Sequence, residues 1–492
     1  MTKEGSLKSK IVIALVVIVA VCAIIGIFVE TASPVKVVGS TGGSTIKVNA
    51  TGLQVGNEQW PSFTYDYNNS RFQNRSLINA SDVGELNLIW SIPTPYGVTS
   101  TPVVQRGKVF FADSGGNAYA ANLTSGKVIW QRNIGNTITS SALADNDTVY
   151  FAGDYDPPAV YALSAASGSA IWNTTLPSSS DDVWGSPVVY NGRLYIGVAN
   201  DGTDQGENNS LLVGQVFALN AQNGKILWHF NTTVSGADNG AGGGGVWSSV
   251  VVDPKLNAVY FDTGNSYSYN GYAVCSYCVI SLNATTGRLN WEYQVYPNQT
   301  IGQDQDFGST PNLFRAVFNG ITYNAIGAGN KNGIYYILNR DNGTLLDSFQ
   351  IGTAWPGPVS GGIIGLGGFE YPNSSDVNPT IFIPASNYDT PPFNGTVAAL
   401  DLATDKVSWN FHTNGKLFGS VAVVPGAVLV GDSAGNLYAI STSNGTTLLQ
   451  YTFSSPIGGG VSVAGKYVLV GTYNKKFIRS PALAVGVYAF ST

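Results

Sequence analysis

The segment GQVFALNAQNGKILW, from Gly214 to Trp228, reads as two strands around a tight polar turn, closed by a tryptophan. The phrase returns as AYAANLTSGKVIW, VYALSAASGSAIW, VISLNATTGRLNW and VAALDLATDKVSW. Its last position falls at Trp130, Trp172, Trp228, Trp291 and Trp409, and at Asp347 and Leu449 in two copies without the ring. Trp90 ends LNLIW, a second half with no first half, whereas the C-terminal VGVYAFST is a first half with no second. The repeat is therefore circular. A chain that borrows its last strand from its own N-terminus closes a ring and leaves no long sheet edge open. These copies predict an all-β fold, an eight-bladed β-propeller, closed by pairing 86–90 with 485–492.

The other strands agree. The segments GKVFFAD, DTVYFAG, GRLYIGV, NAVYFDT, YNAIGAG, PTIFIPA, GAVLVGD and KYVLVGT read as the second strand of each blade. Small-residue runs such as STPVV, GSPVV and SSVVV precede them, as expected where innermost strands crowd an axis. The tryptophan is expected to wedge between blades, with its N–H on a backbone carbonyl. Gly is abundant and no long helical periodicity follows the first thirty residues. A net charge of −6 and the lack of a basic stripe argue against nucleic acid.

The N-terminus is of another kind. Lys3, Lys8 and Lys10 precede an apolar run from Ile11 to Val29, close to the ~20 residues a helix needs to cross a bilayer. Residues 1–10 are expected to be cytoplasmic, 11–29 an uncleaved transmembrane anchor and 30–56 a flexible linker. The propeller, 57–492, then lies on the extracytoplasmic side. A cleaved signal peptide is the competing reading. Fifteen Asn-x-Ser/Thr sequons fit a glycoprotein in that location. Cys275 and Cys278, in CSYC, read as a local disulfide. Val279 follows them, so this is no C-x-x-C-H haem attachment site, and His229 and His412 are too few for a Cys/His zinc site.

Four consecutive blades, ending at Trp228, Trp291, Asp347 and Trp409, are longer than the rest, and extra length in a repeat goes to loops on the binding face. Here the residues resemble a family. QWPSFTYDYNNSRFQNRSLINASDVGELNLIW resembles the start of pyrroloquinoline-quinone (PQQ) dependent alcohol dehydrogenases, and the repeat phrase resembles their tryptophan docking motif. GGGGVWSSVVVDPKLNAVYFDTGNSYS resembles their blade carrying a Trp and a Thr-Gly-Asn. DQDFGSTPNLF and GNKNGIYYILNRDNG are most similar to the poly(vinyl alcohol) dehydrogenase branch.

The resemblance implies a site in the central funnel. Trp247 forms the floor under the flat quinone, Asn265 gives its side-chain oxygen to Ca²⁺, and Asp201 or Glu207 supplies an acidic ligand. Asp306 is the catalytic base, and Lys331 donates to the quinone oxygens. It further implies an alcohol or sugar substrate and, with no haem in the chain, a separate electron acceptor. Elementary chemistry supports such a set: Ca²⁺ takes hard oxygen donors and acts as a Lewis acid, and a carboxylate can take an alcohol proton. The alternative reading is a non-catalytic extracellular propeller that displays the long-blade loops to protein partners.

Overall fold

The computed structural model describes residue 56 and residues 58–492, apart from 155–156, 179–181, 200–212, 234–241, 267–274, 296–304, 354–360, 374, 388–393 and 475–484. The expected residues 1–10, anchor 11–29 and all but the last residue of the linker lie outside them. Among the described residues no helix is long and apolar enough to cross a membrane.

The strands form eight antiparallel four-stranded sheets, with one short 3₁₀ turn at Val83–Glu85. The innermost strands of blades 1 to 4 are Val103–Gln105, Leu143–Asp145, Val188–Tyr190 and Val251–Asp253; those of blades 5 to 8 are Phe307–Phe318, Gly368–Glu370, Ala422–Val424 and Ser462–Ala464. Blade 8 takes its outermost strand from the N-terminal side: Asn87–Pro93 pairs with Gly486–Ser491. Inner strands are buried throughout, as in Thr148–Gly153, whereas outermost ones alternate, as in Ile226–Asn231. Blade-on-blade packing covers both faces of the inner strands and leaves the rim half wet.

Antiparallel order fixes two ends. Connections from strand 2 to 3, and from each blade to the next, lie at one end, the mouth. The tight turns from strand 1 to 2 and from 3 to 4 lie at the other, the base.

At the base, six tryptophans staple successive blades. Trp90, Trp130, Trp172, Trp228, Trp291 and Trp409 each donate Nε1–H to a carbonyl of the next blade, those of Leu123, Ala165, Ala221, Ala284, Arg340 and Thr442, at 2.9–3.3 Å. Each ring also covers the glycine of that blade's strand 3–4 turn. A Cβ on Gly126, Gly168, Gly224, Gly287, Gly343 or Gly445 would sit 2.6–2.8 Å from it, and each of these glycines has positive φ. The glycine thus serves the turn and the neighbour's tryptophan together. The two copies without Trp follow the same logic. Asp347 faces blade 6, whose turn carries Asp405 at φ 52° in place of glycine. Leu449 faces blade 8, where the ring is closed by separate chain ends and has no such turn.

The segment from Trp60 to Ala80 crosses the base. It bonds blade 1 through Trp60–Val104, blade 2 through Pro61–Ala144, blade 5 through Asn68–Leu313 and blade 6 through Ser70–Phe369. Blades 7 and 8 follow through Arg71–Val423 and Leu77–Gly465. Tyr67 Oη reaches the Val189 carbonyl of blade 3 at 2.7 Å. Arg71, fully buried, donates to the carbonyls of Phe63, Val421 and Val461 and lies 5.1 Å from the Trp60 ring centroid. Burial pushes its pKa down to about 9, so it remains charged at neutral pH.

Candidate functional site

The chain enters each innermost strand through one four-residue pattern. Its first position is apolar and buried in every blade: Val98, Ile138, Val183, Val246, Phe307, Ile363, Leu417 and Ile457. Its fourth position is a hydroxyl in six blades, and these form a girdle. The N–H groups of Thr101, Ser141, Ser186 and Ser249 bond the side-chain oxygens of Ser141, Ser186, Ser249 and Thr310, each in the next blade, at 2.8–2.9 Å. Leu366 and Gly460 interrupt it, although Leu366 N–H still reaches Ser420 Oγ at 3.1 Å. Small residues are needed at the axis for this polar seam as well as for space.

The second position faces the axis. It is Thr99, Thr139, Trp184 and Trp247 in blades 1 to 4, then Gly308, Ile364, Phe418 and Gly458 in blades 5 to 8. All of them line a central cavity of about 240 Å³, and Phe63 of the base-crossing segment lines it too. Hydroxyls and apolar side chains share the lining, and its two indoles stand in adjacent blades.

Trp247 lies toward blade 5, where Gly308 leaves room: a Cβ there would sit 2.1 Å from Cη2 of the indole. Its Nε1–H donates to Asp306 Oδ2 at 3.1 Å. Lys331 Nζ lies 3.3 Å from the same oxygen and 4.8 Å from the Trp247 ring centroid, with both charged side chains almost buried. The backbone sets this geometry, because Lys331 N–H donates to the Asp306 carbonyl at 2.8 Å. Asp306 Oδ2 also stands against the DTGN turn, 3.2 Å from where a Gly264 Cβ would be. The glycine run explains itself here. Gly264 N–H bonds the Gly245 carbonyl, Gly244 N–H bonds the Asn265 carbonyl, and a Cβ on Gly214 would strike the Gly244 carbonyl oxygen at 1.9 Å.

The structure therefore brings Trp247, Asp306 and Lys331 together and sets the turn bearing Asn265 against them. Asn265 is partly exposed and its side-chain amide makes no hydrogen bond among the described residues. Asp201 and Glu207 lie outside the described residues. The expected Cys275–Cys278 disulfide is corrected: both are free, buried thiols. Cys275 Sγ is directed at the Glu292 carboxylate and Cys278 Sγ at the Ser276 carbonyl, 3.3 Å away. The hairpin they occupy is tied to the site instead through Thr263, whose Oγ1 donates to the Cys275 carbonyl at 2.7 Å and accepts from Cys278 N–H at 2.9 Å.

Other residues escape a linear reading. Asp262 is fully buried and neither carboxylate oxygen meets a partner at hydrogen-bond geometry, although the nearby Ser248 hydroxyl and its own backbone N–H favour the ionised form. Burial, then the charge of Asp306, pushes its pKa well up. In strand register its place is held by Ala112, Ala152, Gly197, Gly329, Pro384, Gly431 and Gly471 in the other blades. Trp184 is missed because its position is silent until all eight entries are aligned. Its Nε1–H donates to Asp154 Oδ2 at 3.1 Å. Asp154 also accepts from Val183 N–H at 2.7 Å and from Thr139 Oγ1 at 3.3 Å, with the Asp182 side chain close by. Burial raises the Asp154 pKa.

Among the described residues no three His, Cys, Asp or Glu side chains gather at a metal-binding point. The donors present still fit a hard cation: the orphaned Asp262 carboxylate, the Asn265 amide and Asp306 are all oxygen ligands. The indole faces and the cavity between them fit a flat ring.

Similarity to known proteins follows the same division. A family profile described as "Glucose/ethanol/alcohol dehydrogenase, beta-propeller domain" matches residues 182–351, the blades that carry Trp184 to Lys331. A profile described as "Outer membrane protein assembly factor BamB" matches 78–145 and 394–482, away from them. The chain is 26% identical to a polyvinylalcohol dehydrogenase of Pseudomonas sp, over 83% of this chain and 69% of the relative. It is 26% identical to the quinohemoprotein alcohol dehydrogenase ADH IIB of Pseudomonas putida, over 82% of this chain and 71% of that one. The crystal structure of the quinohemoprotein alcohol dehydrogenase from Comamonas testosteroni superimposes with a TM-score of 0.76 at 19% identity, covering 88% of this chain and 80% of that one. At that identity it speaks for the fold alone.

Proposed function

We propose that this chain, a propeller of the PQQ-dependent dehydrogenase type, oxidises an alcohol or sugar in its central funnel, using PQQ and Ca²⁺ and a separate electron acceptor. The observation that carries the reading is the convergence of Trp247, Asp306 and Lys331 on one buried point at the channel mouth. Bound there, the quinone would supply the two-electron oxidant and the cation a Lewis acid. The protein supplies position and charge. Trp247 offers the flat floor. Asn265, Asp262 and one of Asp201 and Glu207 offer oxygens to the cation.

Asp306 takes the hydroxyl proton of the alcohol as its carbon gives up hydride. The indole N–H and the lysine ammonium both meet Oδ2 and aim the carboxylate. Lys331 lies over the face that a flat ligand must occupy. With a flat ring bound there, its ammonium would offset negative charge on the reduced form. The six base staples are the tryptophan docking element of this reading. The propeller stands outside the cell, held by residues 11–29, and bears glycans on its surface sequons.

The test is titration of the purified full chain with PQQ and Ca²⁺, followed by quinone absorbance and melting temperature. Ca²⁺-dependent binding that Asn265→Ala weakens is expected. Asp306→Asn, which keeps an acceptor for Trp247, should bind the quinone yet lose at least about 100-fold in kcat. Absence of binding at any Ca²⁺ concentration would favour the second reading, a protein-interaction scaffold. The specific observation on that side is the match of blades 1 and 6 to 8 to the BamB profile.

A further inference from the structure

Among the eight residues that face the axis at the channel mouth, Trp247 and Gly308 belong to the site described above. Trp184 does not. It occupies in blade 3 the place that Trp247 occupies in blade 4, yet 42% of it is exposed, the highest value among the large rings of the mouth. A tryptophan left this open has no packing role that threonine, as in blades 1 and 2, could not fill. Its orientation is held. The indole N–H is bonded to Asp154 of blade 2, and that carboxylate is fixed in turn by the Val183 N–H and the Thr139 hydroxyl. A buried acceptor with that many partners is a rigid anchor.

The two indoles stand edge to face, with centroids 6.4 Å apart and planes 79° apart. Trp247 is tied to blade 5 and Trp184 to blade 2, so the pair forms a fixed corner with a floor and an upright wall. A planar group lying on the Trp247 face meets the Trp184 ring along one edge. Aromatic edge-to-face contact and exclusion of water on that side both favour such a ligand.

We propose that Trp184 is a ligand-contacting wall of the site, an aromatic side support that fixes how a planar ring lies on Trp247. This rests on the quinone reading above. The wall adds binding free energy and restricts in-plane rotation, so it selects flat, fused-ring ligands over small or puckered ones.

The experiment is equilibrium binding of PQQ, in saturating Ca²⁺, to the full chain and to Trp184→Phe and Trp184→Ala, read by quinone absorbance after dialysis. Circular dichroism and melting temperature check each variant, and the exposure of Trp184 makes folding of both expected. Trp184→Ala should raise Kd at least tenfold, while Trp184→Phe, which keeps an aromatic edge, recovers most of the affinity. Kd values within twofold of the unaltered chain for Trp184→Ala would overturn the wall while leaving the quinone reading intact. No PQQ binding by the unaltered chain would overturn both.

Discussion

At the scale of single residues, the departures from the repeat are more informative than the repeat. Asp262 is the sharpest. Seven blades put Ala, Gly or Pro at its place, so the fold asks for a small apolar residue there and receives a carboxyl with both oxygens orphaned. Keeping an unsatisfied polar group buried costs about 1–3 kcal/mol. Asp262→Ala restores what the other blades carry, and we expect it to raise the urea midpoint at pH 7 by an amount in that range. The sign with pH follows from burial. A carboxyl whose folded pKa is raised costs nothing extra while it is protonated in both states, and costs more as pH climbs from the ordinary carboxyl range toward the raised value. The gain from Asp262→Ala should therefore shrink at pH 4. An Asp262→Ala protein less stable than the parent at pH 7 would mean the carboxylate has a partner at that pH. Asp306, Lys331 and Trp247 were legible in sequence because they sit in short motifs, DQDFG, NKNG and GGGGVW. Trp184, Asp154 and Asp262 were not, since each means something only against its equivalents one blade away.

At the scale of elements, the repeat couples two positions that linear reading treats apart. A tryptophan at the start of a fourth strand requires a glycine in the strand 3–4 turn of the next blade, and where one is lost the other is lost. Gly343 has φ 76°, and a Cβ would meet the Trp291 ring at 2.6 Å. Gly343→Ala adds left-handed strain to a clash with a rigid ring and should destabilise by about 2–4 kcal/mol. Blade 6 is the natural converse. Asp405 holds a left-handed backbone and faces Asp347, whose charge, after desolvation, helps to raise its pKa. Asp405→Gly should gain about 0.5–1 kcal/mol by removing that strain. Asp347→Trp alone should fail to gain, but together with Asp405→Gly it should stabilise beyond the sum of the single changes. A chemical-denaturation double-mutant cycle reads this directly, and strict additivity would deny the pairing. The sequence predicted the staples and the eight-fold closure because both recur. It could not tell a bridged from an unbridged CSYC pair, because the same spacing serves both: the two thiols stand beside each other, free, with Cys275 Sγ also on Glu292 and Cys278 Sγ on the Ser276 carbonyl.

At the scale of the whole molecule, the two ends of the ring divide the work. Tryptophan–glycine staples and the Trp60–Ala80 crossing hold the base, while the aromatic corner and the carboxyls of Asp113, Asp154 and Asp262, each at the end of a second strand, lie toward the mouth. This separation lets the mouth carry groups that cost stability. Those three carboxyls, together with Asp66 of the crossing segment and Glu370 at a base turn, have pKa values raised chiefly by burial. Each group binds its proton more tightly in the folded than in the unfolded chain. Between the ordinary carboxyl range, about 4, and the raised folded values, the native state therefore holds more protons, and its stability falls as pH rises through that window. Many proteins lose stability on mild acidification because their carboxylates are paired in the native state; here the buried set works the other way. We expect the melting temperature of the metal-free chain to rise as pH is lowered from 7 toward 5, and Asp154→Asn to flatten part of that slope while still accepting the Trp184 N–H. Calcium should act against the trend. A cation that holds Asp262 ionised stabilises the deprotonated native state, so its effect on the melting temperature should be largest at neutral pH and fade toward pH 5. A melting temperature that falls between pH 7 and 5 without calcium would show that other carboxylates, paired in the native state, outweigh the buried set.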